Sequence, residues 1–291
     1  ISLSNEIIFL DRGCQVISKH LYDGLIVAMD DTETGTIVVN AKGDVDVINL
    51  NQIENIFSGE EFNGASFSED KIFISQENNE ILTIYKTGVY ALSAPADESN
   101  IIHVSDDGNS LAVASKGGAL TIFGPSLKTA HHSPPRDDDL EVISAICSNG
   151  RGRFLVSRSS LGLVVDERAV NRIELWDIKK GLIMEAEVPS RITCIAPHQN
   201  GYVAGCFEGE VILIGQDLQV STISKSEYSI SDILEWEGDI IYSCWFFVER
   251  MNQSGTKIWS FEHQNLVKGI LKIGDNRVVV FGKGGDANTG N

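Results

Sequence analysis

Residues Gly35–Leu50 read GTIVVNAKGDVDVINL. Two short segments rich in Val and Ile flank a polar turn, and in the second segment apolar and polar residues alternate. β-Branched residues at a period of two fit a pleated strand, whose successive side chains point to opposite faces. The stretch is therefore a hairpin. Similar hairpins recur in KIFISQENNEILTIY from Lys71, SLAVASKGGALTIF from Ser110 and GYVAGCFEGEVILIG from Gly201. Two more are interrupted: GRFLVS from Gly152 continues to NRIELWD from Asn171, and DIIYSCW from Asp239 continues to GTKIWSF from Gly255.

The first core position of each second strand serves as a ruler: Val45, Ile81, Leu120, Ile173, Val211 and Lys257. Successive anchors are 36, 39, 53, 38 and 46 residues apart, and both long gaps hold an interruption. The underlying period of roughly 36 to 40 residues is that of a four-stranded propeller blade. No long stretch with a 3.6-residue period competes with it.

The two ends of the chain complete the pattern. NRVVVF at Asn276–Phe281 reads as a first hairpin strand with a turn at Gly282–Asp286, and the tail beyond that turn is too short and polar to be its partner. EIIFL at Glu6–Leu10 reads as a second strand with nothing before it. Joined, they make one blade. The expected fold is all-β: a seven-bladed β-propeller of four-stranded antiparallel blades, closed by the N-terminal strand pairing in the last blade, which removes exposed sheet edges. Residues 1–291 are expected to form this single domain, and a chain opening on Ile1 admits excision from a longer protein.

Asn171–Gly181, NRIELWDIKKG, resembles the terminal strand of a WD40 repeat, with Trp176 and Asp177 as the family's dipeptide. The turns Ser105–Gly108 (SDDG) and Ser68–Asp70 (SED) resemble the family's acidic turn. As a pattern the similarity spans nearly the whole chain, with the dipeptide in one blade and no Gly-His pair. It implies a non-catalytic scaffold, a rigid ring presenting loops to a protein or peptide. It also implies that loops within third-to-fourth strand hairpins and first-to-second connections share one face. Two interruptions are expected there: Ala130–Asp139 with Ser159–Val170 in the fourth blade, and Trp245–Ser254 in the sixth.

The chain carries 23 Lys and Arg against 41 Asp and Glu, a formal net charge of -18. Such a field repels a polyanion and an anionic lipid surface, so neither nucleic acid nor membrane is an expected partner. It attracts a basic segment, and it also serves solubility. Five cysteines without CxxC spacing, four of them inside apolar runs, point to a reducing, cytoplasmic compartment. A monomeric domain or a component of a larger complex fits equally.

Insertions are the part of a repeat that packing does not demand, so partner-binding residues are sought there. Trp245, Phe246 and Phe247 beside Arg250 are residue types enriched in binding hot spots, with Arg168 in the fourth-blade interruption as a further candidate. The plainer reading of the trio is a strand extension covering the blade beneath. His131, His132 and Asp137–Asp139 offer metal-ligand types, but Pro134 and Pro135 and the polarity of the tract favour a solvated loop. No metal or cofactor is expected. FGKG at Phe281–Gly284 lacks the glycine spacing and the Ser or Thr of a phosphate loop, and neither a GxSxG nor an HExxH motif occurs. No catalytic residue is assigned. A hydrolase or lyase working on a small molecule at the central channel is the alternative to a scaffold.

Overall fold

The computed structural model describes residues 4–283, apart from 12, 33–34, 50–51, 69–70, 77–79, 86–87, 94–100, 107–109, 116, 126, 137–140, 161–169 and 274–276. Among the described residues, twenty-eight strands form seven four-stranded antiparallel sheets. These are the blades of a β-propeller. Blades one to six take residues 26–58, 62–93, 101–133, 141–188, 192–225 and 230–262. Their first strands lie side by side around the axis, and the outer strands are largely exposed.

Blade seven joins the two ends of the chain. Leu266–Ile273 and Arg277–Lys283 supply its inner strands, Ser4–Asp11 the third and Val16–Asp23 the outer one. The closing register runs antiparallel from Asn5 opposite Lys283 to Asp11 opposite Arg277. Ring closure through the N-terminal strand is thus as expected, but the N-terminal segment brings two strands.

Seven apolar clusters fill the seven gaps between neighbouring blades. The third strand of blade seven shows why alternation is the right signal: Ile7 and Phe9 pack towards blade one, Ile8 and Leu10 towards blade six. A strand inside the ring buries both faces, so its two residue sets serve different interfaces.

Three expectations need correction. The recognised hairpins are second and third strands, as in Gly35–Asn40 and Asp44–Asn49, and Asn171–Asp177, read as a terminal strand, is the third strand of blade four. In a four-stranded meander the second-to-third turns and the links to the next blade emerge on the same side, here called the upper face. The interruptions therefore belong to the upper face rather than to the side of the third-to-fourth turns. In blade six, WFFVERMNQS is no insertion: Phe247–Met251 is the third strand, and Lys257 lies exposed in the fourth. The proper anchor is the buried Val248, 37 residues after Val211. Finally, Thr129–Ser133 is the outer strand of blade three and not a solvated loop of blade four. Asp137–Asp139, Arg168 and most of the acidic turns at 68–70 and 105–108 lie outside the described residues.

All seven first strands carry a register shift at the same place, each admitting one extra residue: Val27, Asn63, Ile102, Ser144, Thr193, Ser231 and Lys268. Bulges re-aim a side chain and add local twist, and these sit near the upper rim of the axis.

Candidate functional site

Blade six closes its second-to-third turn with only Trp245 and Phe246, since Cys244 pairs with Phe247. Two-residue turns demand positive φ, a conformation Gly and Asn adopt easily. Trp245 adopts it at φ 52°, which costs a non-glycine residue about 1–2 kcal/mol. Backbone bonds hold the turn in place: the Val267 N–H donates to the Trp245 carbonyl at 2.8 Å and the His263 N–H to the Phe246 carbonyl at 2.7 Å. The backbone of the turn is thereby fixed, and Trp245 is 43% exposed.

Tyr228 meets it from the link between blades five and six. The two ring centroids are 4.4 Å apart, with Phe247 6.4 Å from Tyr228 and Phe246 5.0 Å from Trp245. Tyr228 and Phe247 rest on the core between blades five and six. The link crosses directly over Gly209, which has φ 90° and where a Cβ would lie 2.2 Å from the Ser226 carbonyl oxygen. Only glycine allows this approach. Tyr228, Trp245, Leu266 and Val267 wall a cleft of about 340 Å³, whose polar side is Ser229, Ser231 and Lys268. Phe207, 58% exposed, occupies the corresponding turn of blade five on the same side of the ring.

Ser231 and Lys268 also line the axial channel, a cavity of about 570 Å³ bounded by first strands of blades one, two, five, six and seven. Asp232 lies in this lining, its Oδ1 accepting the Ile233 N–H and its Oδ2 the Ile270 N–H of blade seven, both at 2.8 Å. Burial pushes its carboxyl up to about 6, against the pull of those two amides. Burial likewise raises Asp30 on blade one. With both oxygens of Asp232 committed to backbone amides, its first role is joining blades six and seven.

The structure brings Trp245, Phe246 and Phe247 together but separates Arg250 from them. Three residues beyond Phe247 along the strand, about 10 Å away, Arg250 is buried, bonded to Asp239 at 2.8 and 2.6 Å and stacked 4.9 Å from the Trp236 ring. Tyr228, Leu266 and Phe207 were not singled out from sequence. An aromatic residue in an inter-blade link just before a bulged strand is the signal that finds Tyr228. His131 donates to or accepts from neither an ion nor an acid: its Nε2 meets the Ile178 carbonyl at 3.0 Å, and His132 Nδ1 meets Thr121 Oγ1 at 2.9 Å. Among the described residues no group of three His, Cys, Asp or Glu side chains converges as a metal site.

No protein-family model and no curated protein matches this sequence. Solved structures do. The WD40 beta propeller domain of Doa1 superimposes with a TM-score of 0.70 at 12% identity, over 89% of this chain and 93% of that one. The fold is that of a WD40-like β-propeller. The computationally designed Ika8 protein gives 0.62 at 14% identity, over 89% and 94% of the two chains. BamB from Moraxella catarrhalis gives 0.54 at 12% identity, over 88% and 96%. At such identities the likeness establishes the WD40-like architecture and leaves activity to the site itself.

Proposed function

We propose that this protein is a non-catalytic interaction scaffold whose upper face captures a protein or peptide segment at the Tyr228–Trp245 cleft. The observation that carries the reading is Trp245: a large aromatic side chain held half-exposed on a turn whose backbone conformation favours glycine. Strain retained at an exposed aromatic points to a binding role, since neither packing nor the turn itself requires an indole there. The Phe246 ring lies 5.0 Å from Trp245 and the Phe247 ring 6.4 Å from Tyr228, and Arg168, outside the described residues, remains a partner-binding candidate. The net charge of -18 favours a partner whose remaining surface is basic, with electrostatic steering of its approach. Five unpaired thiols, mostly buried, support a reducing, cytoplasmic setting for a single domain acting as a monomer or within a larger complex.

The test uses Trp245→Gly, which suits the positive φ and removes the ring. With the purified protein as bait in a native lysate, partners held by the wild type are expected to be lost from the variant at an unchanged melting temperature. Equal retention overturns the assignment of the cleft. The channel, with carboxyls raised at Asp30 and Asp232, favours the second reading, an enzyme acting on a small molecule. That reading expects a small molecule that raises the wild-type melting temperature but not that of Asp30→Asn.

A further inference from the structure

Resting on the reading of the upper face as a binding surface, we infer that the cleft takes a short peptide in which an apolar side chain is followed closely by a carboxylate. The apolar group seats against Tyr228, Trp245 and Leu266, and the carboxylate meets the Lys268 ammonium.

The bulge sets the place of Lys268 on its strand. The same one-residue shift recurs in every first strand, so Lys268 occupies one of seven equivalent positions near the axial rim. The other six hold Val27, Asn63, Ile102, Ser144, Thr193 and Ser231, none of them charged. Lys268 alone brings a cation to this ring, and it does so where the aromatic cleft opens into the channel, since it lines both. The side chain is exposed, and among the described residues it makes no ion pair. Four other lysines are engaged, Lys19 with Glu6, Lys42 with Asp23, Lys225 with Glu210 and Lys257 with Glu249, while Lys128, Lys179, Lys180 and Lys272 are, like Lys268, without an ion pair among the described residues, so it is position beside the cleft that sets Lys268 apart. In a chain with 41 acidic residues a cation left unpaired at the mouth of an apolar cleft is an available anion partner.

Local and global charge have opposite signs here, and distance settles which governs the contact. The field of the whole acidic surface is screened beyond about 8 Å at physiological ionic strength, whereas a carboxylate in contact with Lys268 is not. Long-range steering thus favours a basic body while the seated residue is acidic. Cleft size sets the rest. About 340 Å³ holds one large side chain with adjoining backbone rather than the body of a helix of about 10 Å diameter, which suits a short segment anchored by one apolar side chain.

A phage-displayed random heptapeptide library, selected on wild type, Trp245→Gly, Lys268→Met and Lys268→Glu, tests this. Wild type is expected to enrich peptides sharing an aromatic, Leu or Pro residue with Asp or Glu one or two positions away. The same peptides, made synthetically, should bind Lys268→Met at least fivefold and Lys268→Glu at least tenfold more weakly, and lose affinity between about 50 and about 500 mM salt. Selection on Lys268→Glu should keep the apolar residue and exchange the acid for Lys or Arg. Enriched peptides that need Trp245 but bind Lys268→Glu as well as wild type overturn the carboxylate and leave the binding face standing. Peptides indifferent to Trp245→Gly, or no enrichment at all, overturn both. Melting temperatures of the four proteins guard against misfolding, and Trp245→Asn replaces Trp245→Gly if that variant does not fold.

Discussion

Glu174 is fully buried between two guanidinium groups, Arg158 Nε at 2.9 Å and Arg136 at 2.7 Å, and its other oxygen accepts the Trp176 indole N–H at 2.8 Å. Arg158, equally buried, also donates to the Gly118 carbonyl at 2.6 Å across the gap to blade three. This network ties the only Trp-Asp dipeptide into the ring without a Gly-His pair. Removing one charge of a buried pair leaves the other uncompensated, so Glu174→Gln should cost about 3–5 kcal/mol in denaturant unfolding although the side chain keeps its shape. A cost below about 1 kcal/mol would show that the pair is solvated. Asp232 predicts a pH effect. Its folded value near 6 lies above the ordinary 3.8, so its contribution favours the fold below about pH 4 and is lost as pH rises through 6. Relative to Asp232→Asn, the wild-type melting temperature should rise as pH is lowered from 7 to 5. A constant difference between the two proteins would remove Asp232 as the titrating group. Neither side chain was legible in sequence, because a buried charge is distinguished from a surface one only by what lies across the blade gap.

At the scale of an element, the second-to-third hairpins are the most legible part of the chain, and blade six shows what hides one. Its third strand, Phe247–Met251, places Glu249 and Arg250 among apolar residues, so alternation is broken in sequence, while Asp239 and the Trp236 ring neutralise and cover Arg250 in the fold. The upper-face turns also depend on glycine where a link crosses close above. Gly209→Ala should destabilise by at least about 2 kcal/mol, since positive φ and a Cβ 2.2 Å from the Ser226 carbonyl add together. Gly150→Ala, at φ 71° with open space around it, should cost only about 1 kcal/mol. Equal costs at the two sites, measured by chemical denaturation, would refute the crossing as the reason for Gly209.

For the whole molecule, closure dominates. Ile7, Ile8, Phe9 and Leu10 are each at most 4% exposed, and burying four such side chains contributes about 6–12 kcal/mol, comparable to the entire stability of an ordinary domain. Deleting residues 1–10 should therefore abolish cooperative unfolding near the wild-type temperature, whereas a circular permutant beginning at Leu25, with 283 joined to 4 by a short linker, should retain it. Near-normal melting of the deletion would mean that the ring does not need its third strand in blade seven. By itself the sequence determined the strand period, the seven blades and the closing segment, because alternation and spacing are local consequences of a pleated backbone buried on both faces. Only the tertiary structure decided that Tyr228 joins Trp245, that Arg250 turns inward and that Lys268 reaches the rim of the channel. Those outcomes depend on a bulge register and on links between blades, where residues distant along the chain meet and no periodicity records which ones they are.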